Sequence, residues 1–125
     1  MPRFVVLRHD WPAPHLDLLL EAGPVLRAWR LPADPPPGVW LPAEPNADHR
    51  LDYLEYEGPV SGGRGSVRRA AAGTFAADGD GWALAWAGGA AELRPAGDGW
   101  QFRIGGTGVS ACRNSGQAET PVPPA

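Results

Sequence analysis

At 125 residues the chain has room for one domain with a modest core and not for two. Its eleven basic residues are all arginine and face fourteen Asp and Glu, a formal charge of −3, which excludes covalent chemistry on a lysine amine and any bulk electrostatic pull on nucleic acid. The single cysteine, Cys112, excludes an intrachain disulfide; with no signal-peptide core and no membrane-length apolar run, the expectation is a cytoplasmic protein with no membrane partner.

Glycine and proline, 17 and 15 residues, cut the chain into short apolar runs. Residues 4–9 are predicted as a first strand, 16–21 as a second and 25–31 as a third, the last two joined by a turn at Ala22-Gly23-Pro24. On the second strand Leu16, Leu18 and Leu20 share the core face, and His15, Asp17, Leu19 and Glu21 share the other. Leu19 is out of pattern on that polar face. The proline-rich stretch 32–38 excludes regular structure, 39–41 reads as a short strand, and Pro42 and Pro45 argue against a strand up to Asn46. Residues 48–56 are predicted to hold one helical turn capped by Asp48, with His49 and Tyr53, four apart, on one side of it. A glycine-rich loop covers 58–65, with Arg64, Arg68 and Arg69 close together. Strands follow at 74–77, 82–87, 90–95 and 100–104, separated by Gly and Asp turns, and Trp82, Leu84 and Trp86 share a face. Regular short strands of this kind predict a mostly all-β domain over 1–104, an antiparallel barrel or sandwich with a short helical turn. Residues 105–125 are polar and predict a flexible tail.

Three groups carry chemistry. His9 closes the first strand and can reach His15 and Asp17 across the turn at 11–14. Two imidazoles and a carboxylate form a donor set suited to Mn, Fe, Zn or Ni, with open positions for catalysis. An ordinary strand edge with two hydrogen-bonded histidines satisfies the same spacing. His49 and Tyr53 suit an acid–base or anion-holding pair, or a capped turn with a half-buried tyrosine. The stretch 61–69 could hold a phosphate through Arg64 and Arg68, although it lacks the ending of a Walker loop and also fits a solvated hairpin. A third use of His-x-Asp with a further His is an iron oxygenase, for which no 2-oxo-acid anchor is evident.

Phe4-Val5-Val6 followed by His9, then His15-x-Asp17, Leu20-Glu21, Gly23 and Trp29, and further on Asp48-His49-x-Leu51-Asp52-Tyr53 and Glu57-Gly58, resembles the 3′-phosphoesterase domain of bacterial and archaeal DNA ligases of non-homologous end joining. The resemblance spans residues 4 to 104 and is most specific in its first half. It implies a compact β-barrel with a divalent metal, typically manganese with zinc or cobalt as substitutes, held by His9, His15 and Asp17. It implies His49 and Tyr53 at the scissile phosphate, and removal of a phosphate or ribonucleoside from the 3′ ends of DNA at a primer–template. A separate ligase or polymerase would be the protein partner. The same likeness marks departures. Leu19 stands where that family has an arginine two residues after the metal-binding aspartate. A second family arginine falls near Leu41, and the glycine-rich loop is shorter and lacks the family's glutamate. Arg64 or Arg68 would then supply the phosphate contact. The alternative is a metal- or DNA-end-binding module of the same fold with little or no turnover.

Overall fold

The computed structural model describes residues 2–32 and 34–105. Nine strands and one 3₁₀ turn (Leu51–Leu54) account for most of them. The strands are β1 (Arg3–His9), β2 (His15–Ala22), β3 (Val25–Leu31), β4 (Leu41–Arg50), β5 (Gly58–Pro59), β6 (Ser66–Asp78), β7 (Gly81–Trp86), β8 (Gly89–Ala96) and β9 (Gly99–Ile104). They run β1-β2-β3-β4-β9-β8-β7-β6, all antiparallel, and β1 pairs with β6 to close an eight-stranded barrel; β5 adds two residues to the free stretch of β6. Closure gives each of the eight strands a laddered neighbour on both sides. Among the described residues no helix is long and apolar enough to cross a membrane.

The β2–β3 hairpin shows how local residues set the register. Gly23, at φ +64°, opens a two-residue turn whose hand matches the twist of the strands. Ala22 therefore faces Val25, and the pairing proceeds to Leu18↔Trp29 and Asp17↔Arg30. Leu16, Leu18 and Leu20 point into the barrel with Phe4, Trp29 and Phe102, as their spacing predicts. Trp29, Trp82 and Trp100 meet inside with ring centroids 5.5–5.8 Å apart. The lack of a side chain at Gly73 lets β6 pass close to β7, since a Cβ there would run into the Ala85 carbonyl oxygen.

A second core lies outside the barrel wall. Val5, Leu7, Leu19, Leu26 and Ala28 turn outward from β1–β3 and are covered by Leu54 of the 3₁₀ turn and Val67 of β6. Every residue of β2 from His15 to Leu20 is consequently buried. This explains Leu19: it is fully enclosed in an outer apolar cluster, not an intruder on a polar surface.

Three sequence expectations are corrected. β4 runs unbroken from Leu41 to Arg50 through Pro42 and Pro45. Pro42 lies where β4 is laddered only to β9, and Pro45 where it is laddered only to β3, so a missing N–H can face the unpaired side. The 3₁₀ turn starts at Leu51, not at Asp48, and its extended N-cap residue is Arg50 with no side-chain cap. β6 begins at Ser66, so Arg68 and Arg69 are strand residues and not loop residues. The tail and Cys112 lie outside the described residues, apart from Gly105.

Candidate functional site

His9 ends β1 and His15 begins β2, directly opposite one another, and Leu7 faces Asp17 on the same hairpin. That register sets His9, His15 and Asp17 on one outward face. Their imidazoles lie 4.9 Å apart between centroids. His9 Nδ1 is 3.3 Å from Asp17 Oδ2, and His15 Nε2 is 3.1 Å from Asp17 Oδ1. One ligand atom from each residue falls within 4.8 Å of the other two. His15 and Asp17 are buried, at 8% and 4% exposure, while His9 is partly open.

The outward nitrogens fix the tautomers. His9 Nε2 lies 2.8 Å from the Arg64 carbonyl oxygen, and His15 Nδ1 lies 2.8 Å from the Ala13 carbonyl oxygen. A carbonyl only accepts, so each neutral ring spends its single N–H there. His9 Nδ1 and His15 Nε2 are then lone pairs aimed at a carboxylate. His15 Nε2 makes no aligned hydrogen bond despite its closeness to Asp17. Lone pairs facing a buried carboxylate repel it, and a buried carboxylate without a cation is costly. No arginine nitrogen lies within 4.0 Å of Asp17 among the described residues. The set could therefore hold a divalent cation, with two imidazoles and a carboxylate as donors and backbone carbonyls orienting both rings as metal-bound histidines are oriented. Proton uptake by a ring is the other way to balance the carboxylate.

The second polar group of the sequence meets the first. A cleft of about 490 Å³ is lined by His9, Asp17, His49, Tyr53 and Arg64 together. His49 and Tyr53 do pack together, with ring centroids 5.6 Å apart, but from the end of β4 and the 3₁₀ turn, not from successive helical turns. His49 donates its Nδ1–H to the Ala47 carbonyl oxygen at 2.9 Å, so Nε2 keeps a lone pair. Arg64 enters the cleft with its guanidinium held by the Ser61 carbonyl at 2.8 Å. Arg68 does not line this cleft. It sits opposite Arg8 in a neighbouring cavity of about 970 Å³ that is also lined by His9 and His15.

Two arginines absent from the sequence reading, Arg30 and Arg50, also line the cleft. Arg30 pairs across the sheet with Asp17, and its Nε is buried with no hydrogen-bond partner among the described residues. The signal for it was present: a two-residue turn at Gly23-Pro24 makes the numbers of paired residues sum to a constant, and Asp17 meets Arg30. The molecule is thus an antiparallel eight-stranded barrel with a His–His–Asp cluster on its outer wall, beside an arginine-lined cleft. No protein-family model matches the chain, and no curated protein matches it.

Proposed function

We propose that this protein is a metal-dependent 3′-phosphoesterase acting on DNA 3′ ends, related to the end-joining ligase domain it resembles. The carrying observation is the meeting of His9 and Asp17 with His49, Tyr53, Arg30, Arg50 and Arg64 in one cleft. His9 Nδ1, His15 Nε2 and an Asp17 carboxylate oxygen would hold the metal, with manganese the proposed ion and zinc or cobalt as substitutes. Such a metal would neutralise phosphate charge and lower the pKa of bound water.

The remaining work falls to the chain itself. Arg30 and Arg64, both lining the cleft and the latter with its Nε held by Ser61, supply guanidinium donors for the phosphoryl oxygens. Arg30 thereby takes the charge that Leu19 does not bring. His49, locked with its proton on Nδ1, can take a proton at Nε2. The Tyr53 hydroxyl can donate to a phosphoryl oxygen.

The test is a primer–template ending in a 3′-phosphate, incubated with protein and manganese, with phosphate release as the readout. Release is expected from the natural protein and not from His9→Ala, His15→Ala or Asp17→Ala. Metal binding without release under any ion would overturn catalysis and leave a metal- or DNA-end-binding module. Oxygen consumption with iron would point to an oxygenase instead.

A further inference from the structure

Five of the six tryptophans are buried or partly buried, and Trp11 is the exposed one, at 42%. It stands on the β1–β2 connection and lines the same cleft as His9, Asp17, Arg30 and Arg64. An apolar surface of this size is normally covered, and its position here is built. Asp10, the preceding residue, accepts from the Ser66 N–H at 2.8 Å and donates its own N–H to the Ser66 carbonyl at 3.4 Å. Gly65 lies against Trp11 at φ +75°, and a Cβ there would come within 2.6 Å of Trp11 Cβ and into the Asp10 carboxylate. A glycine backbone thus buttresses the base of the tryptophan while the indole stays open.

A flat aromatic held beside phosphate-binding cations is the arrangement by which proteins hold an unpaired nucleobase. We infer that Trp11 is a stacking platform for the base at the 3′ end whose phosphate enters the cleft. The inference rests on the proposed phosphoesterase reading and adds a requirement: the ligand is a nucleotide end with its base, not a bare phosphate or sugar phosphate. Base stacking is sequence-tolerant, so the platform selects nucleotides without selecting among them.

The test uses a fluorescent single-stranded oligodeoxynucleotide with a 3′-phosphate, and the same strand with an abasic terminal nucleotide. Anisotropy with manganese present measures binding to the natural protein, Trp11→Ala and Trp11→Phe. Trp11→Ala is expected to weaken binding of the base-bearing end by about tenfold or more. Trp11→Phe, which keeps an aromatic face, recovers most of it, and the abasic end shows no difference among the three. Manganese binding is unchanged in Trp11→Ala. Equal losses on both ends, or no loss on either, overturn the inference, as does an effect of Trp11→Ala confined to self-association in sedimentation. The two readings fail separately. Phosphate release that is indifferent to Trp11 leaves the phosphoesterase and removes the platform. Trp11-dependent binding without phosphate release does the reverse.

Discussion

Asp17 is the residue on which the site turns. It is buried, two histidines whose outer nitrogens face backbone carbonyls lie beside it, and among the described residues its carboxylate has no arginine within 4.0 Å. A cation bound there stabilises only the folded state, and at about one hundred times Kd such binding adds about 2.7 kcal/mol. Manganese is therefore expected to raise the melting temperature of the natural protein and to leave that of His15→Ala unmoved. The absence of any shift in the natural protein would remove the metal centre. Asp17→Asn should abolish the manganese shift while leaving the metal-free protein as stable as before or more so, since it removes an uncompensated buried charge. Leu19 carries the opposite lesson. Judged by the family resemblance it is a missing arginine; judged by the barrel it is a member of the outer core at 0% exposure. Leu19→Arg would bury a guanidinium among Val5, Leu26 and Leu54, so it should cost about 3 kcal/mol or more in urea unfolding and add no activity. A stable, more active Leu19→Arg would show that the outer core opens to solvent.

At the scale of elements, what was legible depended on whether local spacing or distant partners decide the outcome. The three strands of the first hairpins were readable because alternation and a two-residue turn act over a few residues. His9, His15 and Asp17 came together for the same reason. The prolines of β4 were misleading, because whether a missing N–H costs anything depends on which neighbour is laddered, and that neighbour, β9, is far along the chain. The start of β6 was missed for a similar reason: 66–72 shows little alternation, and its pairing with β1 includes a register shift near Val6. Leu19 could not be placed, since its cover comes from the 3₁₀ turn and β6. The distal hairpins carry a device that no motif announces. Arg94 on β8 donates to Glu92 Oε1 at 2.8 Å, to Asp78 Oδ2 at 2.6 Å and to the Asp78 carbonyl at 2.8 Å, so it ties the β6–β7 turn to β8. Arg103 on β9 completes the group by donating to Glu92 Oε2 at 2.8 Å. For Glu92, burial pushes the carboxyl up, but the hydrogen bonds and charges of Arg94 and Arg103 outweigh it and leave the group below its ordinary 4.5. A carboxyl lowered on folding stabilises the protein fully above its unfolded value and loses that contribution as pH falls through the folded value. The stability difference between the natural protein and Glu92→Gln should accordingly be present at neutral pH and shrink as the pH is taken below about 4.5. A difference that is constant with pH would show that the contact acts through packing alone.

The whole molecule sets a net charge of −3 against a cleft that gathers Arg30, Arg50 and Arg64. Four of the seven described arginines outside the cleft are paired with carboxylates: Arg3 with Glu55, Arg8 with Asp34, and Arg94 and Arg103 with Glu92. The cleft brings three arginines without a carboxylate partner among the described residues beside the histidines and Asp17, with Asp48 also in its lining. On the proposed function, nucleic acid would be held by a small local contact and not by a broad electrostatic footprint. The salt dependence of binding measures the size of that contact. Three arginines on single-stranded phosphates correspond to a slope of log K against log salt of about −2, far shallower than that of a protein with a wide basic face. Arg30→Ala should weaken binding and flatten the slope by about 0.7, because one released counterion is lost. Arg94→Ala, on the distal hairpins, should change neither. A steep slope, or one that Arg30→Ala leaves unaltered, would place the nucleic acid on another face of the barrel and separate the cleft from the proposed function.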